Sequence, residues 1–236
     1  MKKVFLVVCV LLVSINLYAS EHMGHDHSKM MQKMNYQAVN PNDATLLQEG
    51  DEKTFCPICG MTLPMFYKTN HAANDGAKTK QYCSVHCMIE DKEIKNSKLS
   101  SMKVVDNSTL KFIDVKDAYY VVGSKKPGTM SMVSKYAFSS KEAALAFIKE
   151  NGGELKTFAE LEKIVADGIK KEKAMIEKRQ AKMIKMGEKF YNENCTKTDK
   201  RFETTAQAKS YLMSSKICGD VKGKTLQAIG LYLTNK

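Results

Sequence analysis

Two closely spaced pairs of cysteines are the residues of this sequence best suited to chemistry. Cys56 and Cys59 are separated by two residues, Cys83 and Cys87 by three, and 23 residues lie between the pairs. Each pair can reach one metal ion from a tight turn or from the first turn of a helix, and the intervening chain can bring the pairs together. The spacing therefore predicts a metal site made of four thiolates.

Methionines accompany these cysteines. Met61 and Met65 follow the first pair, and Met88 directly follows the second. Zn(II) prefers thiolate and imidazole ligands, whereas the softer Cu(I) is suited by thiolate and thioether together. The cluster therefore favours Cu(I), and a structural Zn(II) held by four thiolates is the alternative.

The first 19 residues have the layout of a secretory signal peptide. Lys2 and Lys3 precede an apolar run at 4–13, and the small residue Ala19 ends the segment. A transmembrane helix needs about 20 apolar residues, so we expect cleavage after Ala19, and uncleaved retention as an anchor is the alternative. With no cysteine at the cleavage point, no stable membrane anchor is predicted, and the mature chain is expected in a bacterial periplasm.

Without that segment the chain has six cysteines, and its net charge falls from +11 to +9. In an oxidising compartment an even number of cysteines often indicates disulfides. We interpret the two local pairs as metal ligands and predict a disulfide between Cys195 and Cys218; disulfides within the local pairs are the alternative. No nucleic-acid partner is expected in that compartment, so the positive charge indicates a solvated lysine-rich surface.

Residues 20–50 are rich in methionine and histidine and lack apolar periodicity, which predicts a disordered tail. Imidazoles and thioethers in such a tail can capture copper and pass it to the thiol site. The alternative is that the segment is a remnant of processing whose histidines have no role in metal binding. The expected auxiliary metal ligands are His22, Met23, His25 and His27.

Residues 51–165 are predicted to form the metal-binding domain. Ser84 is expected to cap a helix from Val85 to about Lys95, which would place Cys87 on the first turn. His86 faces either the metal or solvent, because adjacent helical residues diverge. Met130 and Met132 are interpreted as packing residues, and an added pair of thioether ligands is the alternative. We expect strands at 53–56, 63–67, 80–83, 102–106, 110–115, 118–123 and 136–138, a loop at 71–76 and a second helix through 149.

The ordered combination of motifs in this region resembles the NosL family of nitrous oxide reductase accessory proteins. The matching features span about 52–165. They are Cys56-x-x-Cys59-Gly60-Met61, His71, Tyr120-Val121-Val122-Gly123-Ser124, Tyr136-Ala137-Phe138-Ser139, and Phe147 with Gly152-Gly153-Glu154.

The resemblance implies an α+β fold with two small ββαβ-type units and a Cu(I) chaperone that helps assemble the copper-sulfide centre of nitrous oxide reductase. It also implies Cys59 and Met61 as copper ligands, with His71 as a further one. Cys83 and Cys87 depart from the family pattern and resemble the second half of a TRASH-type treble-clef metal module. The missing lipobox and the C-terminal extension are further departures.

The C-terminal extension, 166–236, is predicted to be helical. A helix-prone stretch at 158–189 is interpreted as a long connecting helix. Segments 187–195 and 226–233 resemble the first and last helices of a c-type cytochrome, but no second cysteine or histidine follows Cys195. We therefore expect a degenerate, haem-less domain that docks a partner and is closed by the Cys195–Cys218 disulfide.

The sequence thus predicts a periplasmic Cu(I) metallochaperone that is not an enzyme, with nitrous oxide reductase or another copper-accepting periplasmic protein as partner. A zinc-stabilised binding module is the alternative. A thiol oxidoreductase that uses Cys56 and Cys59 is the third reading, but the pair lacks a surrounding thioredoxin-like βαβ pattern. The sequence leaves the oligomeric state open.

Overall fold

A computed structural model describes residues 35–236, and the fold is α+β, as predicted. Two ββαβ units follow one another and a helical region ends the chain. The expected signal peptide and the four auxiliary ligands at 22–27 lie outside the described residues.

The first unit contains strands β1 (His71–Asp75) and β2 (Lys78–Tyr82), helix α1 (Val85–Glu93) and strand β3 (Leu99–Val105), with an added edge strand β4 (Phe112–Asp114). The sheet order is β2-β1-β3-β4, and all pairs are antiparallel. Gly76, at a φ of +60°, opens the two-residue turn between β1 and β2, where a left-handed backbone matches the twist of a hairpin.

The second unit repeats this order with β5 (Tyr119–Val122), β6 (Lys135–Phe138), α2 (Lys141–Asn151) and β7 (Glu154–Lys156). Its sheet order, β6-β5-β7, corresponds to β2-β1-β3 of the first unit. The Ser140 side chain caps α2 by accepting a hydrogen bond from Ala143 N. The predicted pair of ββαβ units is confirmed.

Strand β5 separates two hydrophobic clusters. Tyr120 and Val122 contribute to the cluster that contains the four thiols, whereas Val121 packs on the opposite side with Phe147 of α2. This alternation follows the two-residue period of a strand. The second unit therefore forms one wall of the core in which the thiols lie.

Three helices complete the chain: α3 (Phe158–Asn194), α4 (Thr205–Ser215) and α5 (Gly223–Thr234). Thr157 and Glu160 form a capping box at the start of α3. Gly187 of α3 touches the backbone of α5 so closely that a Cβ there would lie 2.0 Å from Ala228 O. Among residues 35–236, no helix is long and apolar enough to span a membrane.

Several local predictions are wrong. Residues 53–56 form turns with one isolated bridge, Phe55 to Thr62, and 63–67 belong to a 3-10 helix, Leu63–Thr69, with a proline in its first turn. Residues 71–75 form strand β1 and not a loop, because Gly76 allows a tight hairpin directly after them. Strand β7 was not predicted.

The structure also describes the segments on either side of the expected domain boundaries. Gln37, Ala38 and Val39 are buried, and Val39 N donates to Pro64 O at 3.1 Å, so this part of the expected tail packs on the domain. Helix α3 is continuous across residue 165, as expected for the predicted connecting helix at 158–189, and it ends at Asn194. The segment that resembles a first cytochrome helix is therefore the end of α3.

Candidate metal centre

The first cysteine pair sits in a tight turn stabilised by its own backbone. Cys56 N donates to Met61 O at 2.9 Å, and Gly60 N donates to Cys56 O at 2.8 Å. Gly60 has a φ of +71°, a conformation that a side chain disfavours. This backbone conformation folds the chain back so that both thiols of the pair reach one point.

The second pair spans the junction between β2 and α1. Cys83 follows the last residue of β2, and Cys87 lies in the first turn of α1, as predicted. The Ser84 side chain makes no capping hydrogen bond. Because Cys87 lies in the first turn of α1, the positive end of the helix dipole lies beside its thiol and favours negative charge on the sulfur, as a thiolate or as a metal-bound thiolate.

The four thiols meet in one buried cluster. Their sulfur atoms all lie within 4.8 Å of one another, and every one of the four residues is buried. Cys83 Sγ lies 3.5 Å from Cys59 Sγ and 3.7 Å from Cys87 Sγ. Sulfurs at the corners of a tetrahedron around one zinc ion would be roughly 3.8 Å apart, from a Zn–S bond of about 2.3 Å. The spacing suits a single metal ion.

The thiols perturb each other's pKa values. Burial raises the pKa of Cys56, but hydrogen bonds from the neighbouring thiols outweigh burial and hold its pKa well below the usual value. Burial, with hydrogen bonds to Cys56, raises the pKa of Cys83 well above its usual value. The pKa of Cys87 is also raised, chiefly by its hydrogen bonds to the other thiols. The thiols thus disfavour negative charge on one another once Cys56 carries it. A bound cation would stabilise negative charge on all of them.

Cys59 also lines a cavity of about 290 Å³ that is rich in thioethers. Met61, Met130 and Met183 line the same cavity, and Met61 and Met130 pack against the hydrophobic core that contains the four thiols. Met130 has a φ of +59°, a conformation uncommon for a residue with a side chain. From the sequence, Met130 was interpreted as a packing residue and Met183 was not singled out, because both lie far from the cysteines along the chain.

The two histidines near the cysteines are held by other groups. His71 lies outside the thiol cluster: its Nδ1 is 3.1 Å from Thr69 O, and its Nε2 is 3.3 Å from the Tyr120 hydroxyl. Burial lowers the pKa of His71 to about 4. The structure thus does not bring His71 to the thiols, and its role as a metal ligand stays a prediction. His86 Nδ1 lies 3.0 Å from Glu172 Oε2 on α3, so this ring nitrogen is engaged by a carboxylate.

The C-terminal extension contacts the first cysteine turn directly. Lys209 of α4, which is fully buried, donates from Nζ to Gly60 O at 2.6 Å, to Thr62 Oγ1 at 3.2 Å and to Gln227 Oε1 at 2.9 Å. Gln227 of α5 donates from Nε2 to Cys59 O at 2.9 Å. Burial lowers the pKa of Lys209 to about 7, and the thiolates oppose this shift.

A disulfide joins Cys195, at the end of α3, to Cys218, which follows α4. The four cysteines of the cluster are free. The disulfide and the reduced cluster are thus placed where the sequence reasoning put them.

This arrangement defines a small α+β protein with a buried, metal-compatible thiol cluster. Residues 48–166 match the model of the NosL family, and the chain belongs to that family. The resemblance inferred from the motifs is thereby confirmed. The match ends near the start of α3, so it does not include Lys209, Gln227 or the disulfide.

Comparison with solved structures finds the copper chaperone NosL from Shewanella denitrificans, with 26% sequence identity and a TM-score of 0.39. The match covers 51% of this chain and 96% of that chain. No curated protein matches the chain.

Proposed function

We propose that this protein is a periplasmic Cu(I)-binding metallochaperone that delivers copper for assembly of the copper centre of nitrous oxide reductase. Its membership of the NosL family, together with the copper chaperone named in the solved-structure comparison, supports the class of cargo. The observation that carries the proposal is the placement of the thiol cluster beside a cavity lined by thioethers. The protein acts as a carrier and not as an enzyme.

The donor set fits a soft monovalent ion. The thiols of Cys56, Cys59, Cys83 and Cys87 lie within 4.8 Å of one another, and Met61 and Met130 line the cavity that Cys59 also lines. Cu(I) accepts thiolate and thioether ligands in low coordination numbers, so not all of these groups must bind at once. The surplus of soft donors allows one ligand to replace another without releasing the ion to water.

Copper leaves the site on the side of Cys59. Cys59 is the least buried of the four, with 5% of its surface exposed, and it lines the cavity together with Met61. A partner's thiolate or thioether that enters this cavity can displace the ligands on that side while the more deeply buried thiols still hold the ion. Transfer therefore proceeds by stepwise ligand exchange.

The residues at 22–27 are proposed to supply copper to this site from outside the described part of the chain. Export to the periplasm and the absence of a stable membrane anchor are proposals drawn from the N-terminal sequence. The C-terminal extension is proposed to be haem-free.

A structural Zn(II) site is the second candidate function. The sulfur separations of 3.5 and 3.7 Å are close to those of a tetrahedral four-thiolate zinc site, and such sites are closed to exchange. In that case the cluster would stabilise a binding module, and the thioethers would serve only as packing.

The substitution Met61→Leu separates the two candidates. For the copper site, we expect Cu(I) affinity to fall roughly tenfold or more while Zn(II) affinity is unchanged, because only Cu(I) gains from the thioether. Affinities are measured anaerobically on reduced residues 20–236 by competition with chelators. Met213→Leu, at a side chain that is 49% exposed, is the matched control. Equal Cu(I) affinity in Met61→Leu and wild type would contradict the proposed site.

A transfer assay tests the destination. Copper-loaded protein is mixed with apo nitrous oxide reductase, and the reductase is separated and analysed for copper and absorption spectrum. We expect copper to reach the reductase faster from the loaded protein than from a Cu(I)–chelator complex that gives the same concentration of unbound Cu(I). Retention of copper by the loaded protein would contradict delivery to this partner, and the same assay can then be run with other copper acceptors.

A further inference from the structure

The C-terminal extension brings a buried cation to the turn that holds the first cysteine pair. Lys209 is fully buried, and its ammonium group donates three hydrogen bonds, all to neutral oxygen atoms: Gly60 O, Thr62 Oγ1 and Gln227 Oε1. The ammonium group also lies 4.1 Å from the centre of the Phe55 ring. An ammonium group has three N–H donors, so each one is used.

Within residues 35–236 no carboxylate forms a salt bridge with Lys209. Negative charge on Cys59, Cys56 or Cys83 would raise the pKa of Lys209, against the lowering by burial. A buried charge is costly unless an opposite charge compensates it. Four thiolates around one monovalent or divalent cation carry a net negative charge. The positive charge of the buried ammonium group and the negative charge of the metal–thiolate cluster therefore compensate each other.

The same two helices also fix the backbone of the turn that holds the first pair. Gln227 donates to Cys59 O, and Lys209 donates to Gly60 O, so consecutive carbonyl groups are held from α5 and α4. Thr205 of α4 packs against Gly60, where an added Cβ would lie 2.6 Å from Thr205 Cγ2. The extension thus completes the surroundings of the metal site, although it lies outside the matched family region.

We propose that Lys209 and Gln227 are positioning residues of the metal site, through which the C-terminal extension holds the first cysteine turn and supplies the positive charge that stabilises a metal–thiolate cluster. This inference rests on the proposed function only in that the thiol cluster binds a metal ion. It applies equally to Cu(I) and to Zn(II). Outer groups that orient metal ligands typically change metal affinity 10- to 100-fold when they are removed.

The test compares Lys209→Met with Lys209→Arg. Methionine keeps much of the length of the lysine side chain and removes its charge, whereas arginine keeps the charge. Because the added thioether is a ligand for Cu(I) but not for Zn(II), the Zn(II) affinity isolates the effect of the charge. We expect Lys209→Met to bind metal at least tenfold more weakly, while the apo protein is as stable as wild type or more stable, since replacing a buried charge by an apolar group often stabilises a fold. Lys209→Arg should retain more of the affinity than Lys209→Met. Lys224→Met, at an exposed lysine of α5, is the control and should leave both quantities unchanged.

The two readouts distinguish positioning from simple packing. A residue that only stabilises the fold would lower the melting temperature of the apo protein together with the metal affinity, and that result would overturn the proposal. So would unchanged affinity in Lys209→Met. Gln227→Leu offers an independent variant that leaves the charge in place, and it should also weaken binding, because it removes the hydrogen bonds to Cys59 O and Lys209 Nζ.

Each affinity is measured for both Cu(I) and Zn(II) by chelator competition. Wild type that binds Zn(II) but not Cu(I) would contradict the proposed function, yet the comparison of variants would still decide the role of Lys209. Wild type that binds neither ion would overturn both proposals.

Discussion

Gly60 allows the contact between the extension and the cysteine turn to be measured. The substitution Gly60→Ala does two things: it places a side chain on a backbone at a φ of +71°, and it inserts a Cβ 2.6 Å from Thr205 Cγ2 and 2.7 Å from Thr205 Cβ. Gly76→Ala does only the first, because Gly76 has a φ of +60° and no atom within 4 Å of the added Cβ. The two glycines therefore form a matched pair.

The expected magnitudes follow from this difference. A left-handed conformation costs a residue with a side chain about 1–2 kcal/mol, and this cost is shared by both variants. Overpacking of a close contact adds about 1–3 kcal/mol, and only Gly60→Ala incurs it. Gly60→Ala should therefore lower the free energy of unfolding by about 1–3 kcal/mol more than Gly76→Ala.

Urea denaturation of the reduced apo proteins, followed by circular dichroism, measures both values. Metal titration of the same samples should show weaker binding for Gly60→Ala, because the added methyl group displaces α4 from the turn. Gly76→Ala should bind metal normally. Equal destabilisation of the two variants would refute the close packing of α4 on the cysteine turn, and with it the argument that the extension supports the metal site.

Two further predictions concern groups away from the thiols. Burial lowers the pKa of His71 from an ordinary value of 6.5 to about 4. The unfolded chain therefore binds a proton below pH 6.5 while the folded chain does not, so about 3 kcal/mol of the free energy of unfolding is lost as the pH falls from 6.5 to 4 and below. The free energy of unfolding of His71→Phe should depend less on pH in this range, and an unchanged slope would contradict the buried, neutral state of His71. Reduction of the Cys195–Cys218 disulfide, whose cysteines are 23 residues apart, should lower the free energy of unfolding by about 3 kcal/mol, measured by denaturation with and without reductant. The double variant Cys195→Ser/Cys218→Ser should not respond to reductant, and a response would contradict the pairing.

The spacing of the cysteines was enough to predict that four thiols share one point. Both pairs are local, and a turn or a first helical turn brings the members of each pair together with little help from the rest of the chain. Tyr120 and Val121, in the strongest predicted strand, lie on opposite faces of β5 as their two-residue period requires. Local patterns of this kind are visible in a sequence.

The wrong local predictions involve segments whose pattern is weak. Residues 71–75 contain two alanines and polar residues, so their place in the centre of a sheet follows from pairing with β2 and β3, not from β propensity. The family resemblance suggested His71 as a ligand, but the Tyr120 hydroxyl and Thr69 O occupy its ring nitrogens. Tertiary contacts determine the position of the strand and of the His71 ring.

The contribution of the extension could not be predicted from sequence. Lys209 is 149 residues from Gly60 along the chain, and it is one of many lysines in a basic protein. Its burial depends on the packing of α4 and α5 against the cysteine turn. Only the three-dimensional structure separates it from the lysines of the solvated surface.

The most direct test of the central claim is an anaerobic titration of reduced wild-type protein, residues 20–236, with Cu(I) and with Zn(II) against competing chelators. The account predicts tight binding of Cu(I) at the thiol cluster, with Zn(II) readily displaced by Cu(I). Tight Zn(II) that Cu(I) cannot displace would contradict the chaperone and would make the four-cysteine cluster a structural zinc site.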